Sequence, residues 1–186
     1  VSRGTTTVRD DTGVWRVQGP SVGIDDTGWA RMGPEQRVRA VVALLTDRRD
    51  AAAPRPMGLG VREIMEIERD QPGPVGAAYR CFLSVTGGGF GRLLVSSDVF
   101  YPLMLGLREA AEDLLAEHGV PFRLADTDRV FLMHQNGRFD FLRGPGPDPE
   151  VWSYDEADGD FAGPNPTGAT FTEWLRGVAE REVRGG

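Results

Sequence analysis

The stretch from Arg129 to Leu142 reads RVFLMHQNGRFDFL, two apolar runs that meet at Asn136-Gly137. An Asn-Gly pair supplies the positive φ needed at both central positions of a two-residue hairpin. A two-residue loop fixes the register. It pairs Gln135 with Arg138, His134 with Phe139, Met133 with Asp140, Leu132 with Phe141 and Phe131 with Leu142. On that register Val130, Leu132 and His134 share a face with Phe139 and Phe141, while Phe131, Met133 and Leu142 point the other way. Apolar residues on both faces predict strands covered on both sides.

Around this hairpin the chain alternates helical and extended patterns. Val151 to Tyr154 predicts a third strand, with Val151 and Ser153 on one face and Trp152 and Tyr154 on the other. From Pro34, the residues Val38, Val41, Val42, Leu44 and Leu45 recur at helical spacing. Pro54 and Pro56 then impose a loop over residues 48–60. Val61 to Asp70 predicts a second helix whose face carries Val61, Ile64, Met65 and Glu68, with Ile67 alongside. Gln71-Pro72-Gly73-Pro74 ends it. A third helix is expected over Val75 to Leu83, a turn at Gly87-Gly88-Gly89, and a strand from Gly91 to Ser96.

Leu107 to Glu117 carries the clearest helical period, with Leu107, Ala110, Ala111, Leu114, Leu115 and His118 on one stripe and Gly119 at C′. A closing helix starts near Thr170, where Glu173 completes a capping box and Phe171, Trp174, Leu175 and Val178 form the apolar stripe. These elements predict an α+β fold, a mixed or mostly antiparallel sheet with helices packed on it. Residues 1–33 read as a loosely packed arm with a short strand around Val14–Val17. Residues 34–59 form an accessory helix and linker, 60–180 the α+β body, and 181–186 a tail.

A chain of 186 residues supports one domain with a sizeable core. Its net charge of −7 argues against nucleic acid and suits a basic partner. All 21 basic residues are arginine, which together with 25 Gly and 13 Pro points to coding from a G+C-rich, bacterial genome. The single cysteine, Cys81, sits in an apolar run and reads as a small buried hydrophobe. No run of about 18 apolar residues is present, so no membrane partner is expected. The N-terminal residues lack the basic-then-apolar order of a secretory leader, so the expected location is the cytoplasm.

Catalysis has few candidates. The two histidines, His118 and His134, lie at a helix end and in the hairpin, with no spacing signature for a metal. The run Gly87 to Gly91 lacks the Gly-Lys-Ser/Thr ending of a phosphate loop, and a tight turn accounts for it. No catalytic residue, metal or cofactor is therefore expected. The acidic segment offers more. Asp148, Glu150, Asp155, Glu156, Asp158 and Asp160 lie close together, and no arginine occurs between Arg143 and Arg176. They form either a solvated charged loop or a candidate surface for a basic protein partner, with Trp152 and Tyr154 as its aromatic anchors or as part of the core.

Taken in order, these pieces resemble the SUKH superfamily, which includes the yeast cell-wall assembly regulator and many bacterial immunity proteins. Four segments carry the likeness: Val61–Asp70 followed by AAYRCFLSVTGGG (Ala77–Gly89), the hairpin Val130–Leu142, DPEVWSYDE (Asp148–Glu156) and FTEWL (Phe171–Leu175). The family's Asn-Gly-Gly turn is here Thr86-Gly87-Gly88-Gly89, and residues before 50 fall outside the likeness. The resemblance implies a non-catalytic module that occludes the surface of a toxin domain. Two alternatives stand beside it, a regulatory scaffold in cell-envelope or growth control and an enzyme using His118 or His134.

Overall fold

A computed structural model describes residues 6–9, 15–18, 24–47, 55–91, 93–94, 97–134, 137–158 and 163–185. The fold is α+β. Five antiparallel strands form one sheet in the order β3 (Ser97–Asp98), β4 (Arg129–His134), β5 (Arg138–Arg143), β6 (Glu150–Asp155) and β7 (Asn165–Thr170). Helix α5 (Leu107–Glu117) packs beside β4, with Phe122 of the following segment 6.1 Å from Phe141. On the opposite face lie α4 (Ala77–Thr86) and α6 (Phe171–Gly185), and α2 (Pro34–Asp47) packs across both. Helix α3 (Val61–Asp70) lies against α4. A separate antiparallel pair joins Thr6–Arg9 to Trp15–Gln18, the strand expected near Val14–Val17.

The hairpin register differs from expectation by one residue. His134 pairs with Arg138, Met133 with Phe139, Leu132 with Asp140 and Val130 with Phe141, with a bulge at Phe131. Three residues, not two, separate the strands, and Gly137 holds the positive φ of 73° that such a loop needs. Gln135, Asn136 and the expected Gln135–Arg138 pair lie outside the described residues. The shift puts Met133 on the face of Phe139, and moves Leu132 and His134 to the face of Asp140 and Arg138. The bulge leaves both faces apolar. Phe139 and Phe141 face Tyr154, Trp152 and Phe122, while Phe131 meets Tyr79, Phe171 and Trp174 at 6.0, 5.5 and 5.0 Å.

Other expectations need correction. Residues 91, 93 and 94 form a turn, not a strand, because Leu93 drops into the core; Arg92, Val95 and Ser96 lie outside the described residues. Helix α3 buries Ile64 and Ile67, whereas Val61 and Met65 are exposed. The third helix runs from Ala77 to Thr86, later than expected. Within the expected arm, α1 (Asp26–Arg31) is pinned to the body. Its Trp29 is buried between the guanidinium groups of Arg37 and Arg176, and Arg176 donates to the Ile24 carbonyl at 2.8 Å and to Asp26 at 2.6 Å.

One buried cation joins the helical layer to the sheet. Arg129, at the start of β4, is 1% exposed. It donates to the carbonyls of Ile67 (2.8 Å), Glu68 (3.2 Å), Gln71 (2.8 Å) and Gly73. Those of Ile67, Glu68 and Gln71 belong to the C-terminal end and cap of α3, where carbonyls lack helical partners and the dipole is negative; Gly73 follows in the next turn. The approach is close: a Cβ on Gly73 would lie 2.5 Å from the Asp128 carbonyl oxygen. Gln71 completes the joint, donating to the Val130 carbonyl and accepting from its N–H at 2.8 and 2.9 Å.

Candidate interaction surface and the two histidines

Helix α5 is amphipathic in a way that separates charge from core. Leu107, Ala111 and Leu115 are buried, while Glu109, Glu112, Asp113 and Glu117 are exposed. Positions 109, 113 and 117 stand four apart and so line one face. Glu112 is paired with Arg108 at 2.9 Å, but Arg108 folds back to donate to the carbonyls of Leu124, Ala125 and Asp128. Glu109, Asp113 and Glu117 have no ion pair among the described residues. Beside the stripe runs a groove of about 510 Å³. Buried Leu115, Val120 and Leu124 form its floor with Phe122, and exposed Glu112 and Arg123 stand at its rim.

The end of this helix meets the end of β6. His118 accepts or donates at Nδ1 with the Tyr154 hydroxyl, 2.8 Å away, and its Nε2 lies 3.4 Å from Glu156 Oε2. Glu156 also packs over Gly137, whose missing side chain leaves room for the carboxylate, and its N–H donates to the Gly137 carbonyl at 3.2 Å. The carboxylate of Glu156 therefore sits beside His118 at the C-terminal end of α5.

The remaining acidic positions separate into different roles. Asp148 accepts from the Thr172 N–H (2.9 Å) and hydroxyl (2.6 Å) and lies 3.7 Å from Arg37. It caps α6, together with Glu173, which accepts from the Thr170 N–H at 2.8 Å. Glu150 accepts from the Trp152 indole at 2.9 Å, and Asp155 from the Ala157 N–H at 2.9 Å. Asp158 ends a 3₁₀ turn begun by Glu156; its side chain, and all of Asp160, lie outside the described residues.

Tyr154 is 3% exposed, which settles its place in the core, and Asp148 is occupied within the fold by a cation that lies far from it in sequence. Trp152 is half-buried, with Arg143 stacked 4.2 Å from its ring. The exposed stripe of Glu109, Asp113 and Glu117 lies on α5, and Glu156 of the expected segment meets the end of that helix through His118. The i, i+4, i+8 spacing of Glu109, Asp113 and Glu117 was present in the sequence; the groove beside them was not.

His134 lies on the other face of the sheet. Its Nδ1 is 2.9 Å from the Ser97 hydroxyl. Asp140, two residues into β5, is 1% exposed and accepts from Ser153 (2.6 Å) and Arg138 (3.3 Å). The serine and imidazole are held together, but the buried carboxylate is engaged by other groups, so it does not orient the imidazole as a hydrolase triad requires. Cys81 is buried, and burial raises its thiol pKa, which disfavours the thiolate. Among the described residues no group of three His, Cys, Asp or Glu side chains is placed to hold a metal, and no helix is long and apolar enough to cross a membrane. Comparison with protein families, with curated proteins and with solved structures gives no match.

Proposed function

We propose that this chain is a protein-binding module that seats a basic segment of a partner protein along α5. The observation that carries this reading is the stripe of Glu109, Asp113 and Glu117, without an ion pair among the described residues, beside an apolar-floored groove. The carboxylates of the stripe steer a cationic partner and select its orientation, while the floor of the neighbouring groove receives an apolar side chain. The net charge of −7 adds a long-range field of the same sign.

On the sequence resemblance to SUKH proteins, the partner is a basic toxin domain, and the module acts in the cytoplasm by covering that domain's working surface. Co-expression tests this directly. The chain should protect cells from the toxin domain encoded next to it, and Glu109→Lys/Asp113→Lys/Glu117→Lys should abolish protection while the protein remains folded. Full protection by the triple variant, or none by the unaltered chain, would overturn the reading.

A further inference from the structure

Away from α5, polar groups of the sheet converge under the middle of α6. A cavity of about 170 Å³ lies between that helix and the sheet face that carries His134. Trp174 forms an aromatic wall, and Ser97, His134, Arg138, Asp140 and Arg181 supply the polar lining. The charges do not cancel. Asp140 is balanced by Arg138 at 3.3 Å and by the Ser153 hydroxyl. Arg181, an exposed residue on the lining, has no ion pair among the described residues, so its charge is not taken up by a carboxylate of the fold.

The serine–histidine contact adds a donor. With the ring proton on Nδ1, His134 donates to Ser97 Oγ, and the serine O–H is released to donate into the cavity. Leu94, also on the lining, holds a φ of 54°, a left-handed conformation that a branched apolar side chain rarely adopts. Strain of that kind concentrates at ligand sites. The volume is close to that of cavities of about 150 Å³ that take up a benzene ring.

We infer that this cavity binds a small carboxylate carried on an apolar body about the size of a benzene ring. The carboxylate takes the two parallel N–H groups of Arg181 and the Ser97 hydroxyl, and the apolar body rests on Trp174.

Benzoate is the probe. Titrated into the full chain and followed by NMR, it should shift the Trp174 indole and Ser97 amide signals saturably, with one site per chain. Arg181→Gln, an exposed substitution, should weaken binding at least tenfold. Val178→Phe, which fills the cavity, should abolish binding with the circular dichroism spectrum retained. No saturable shift with benzoate would overturn the proposal, as would unchanged affinity in Arg181→Gln. Saturable binding of inorganic phosphate without binding of benzoate would overturn it too.

Discussion

The Nε2 of His118 lies 3.4 Å from the carboxylate of Glu156, which ties the last turn of α5 to the turn after β6. Through its other ring nitrogen His118 reaches the Tyr154 hydroxyl, so one side chain connects the end of α5 to the aromatic row of the sheet. The C-terminal end of α5 is thereby fixed to the core of the sheet.

Removing that tie has a defined cost. His118→Ala leaves the hydroxyl of the buried Tyr154 without this partner, a loss of about 1–2 kcal/mol. A lower urea midpoint with an unchanged slope is the expected result. An unchanged midpoint would show that the contact contributes nothing.

Phe141 sits where both arms of the hairpin depend on it. It is fully buried, with ring centroids of Phe122, Phe139 and Trp152 at 6.1, 6.0 and 6.1 Å. Phe141→Ala should destabilise the chain by about 3–5 kcal/mol. Equilibrium denaturation checks this, and a midpoint close to that of the unaltered protein would refute the packing described.

Arg129 makes a sharper chemical prediction. Its planar fork serves carbonyls of Ile67, Glu68, Gln71 and Gly73, a spread that one ammonium cannot cover. Arg129→Lys should therefore lose about 2–4 kcal/mol despite keeping the charge, because buried carbonyls are left without donors. Amide exchange should rise first near residues 67–73. Stability within a few tenths of a kcal/mol of the unaltered chain would contradict the role assigned.

The alkaline limb of stability follows from Tyr79. Burial raises its phenol well above the ordinary 10.0, so the folded state keeps a proton that the unfolded chain releases. The stabilisation is complete below pH 10 and is lost as pH rises above it, at up to about 1.4 kcal/mol per pH unit for one group. With no lysine in the chain, tyrosines and Cys81 are the side chains that govern this window. Tyr79→Phe should flatten the decline between pH 10 and 11.5, measured by denaturant unfolding. An identical slope in both proteins would dispose of the assignment.

Much of the fold was legible because its signals are local. The period of Leu107 to Glu117 and the turn chemistry of Gly119 specify α5 to the residue. The apolar runs around Asn136-Gly137 announce the hairpin, but its register hid behind a loop one residue longer and a bulge at Phe131. Neither is encoded by alternation alone, since both faces of these strands are apolar. Gly91 to Ser96 misled for a related reason: Leu93 and Leu94 read as strand, yet packing turns the chain there.

The site was less legible because its partners are distant in sequence. Asp148 meets Arg37 and Thr172, His118 meets Glu156, and Ser97 meets His134 only once the sheet has formed. An arginine-free stretch between Arg143 and Arg176 implied unneutralised charge, but Arg37 reaches in from α2. The acidic stripe of α5 was written in plain helical spacing; the groove that gives it meaning was not.

The central claim concerns that stripe, and association kinetics test it most directly. The basic toxin domain proposed as partner should bind the unaltered protein one to one, with an on-rate that falls steeply as salt rises. In Glu109→Lys/Asp113→Lys/Glu117→Lys the on-rate at low salt should drop at least tenfold and lose most of its salt dependence, with folding retained. An on-rate and salt slope equal to those of the unaltered chain would contradict the account.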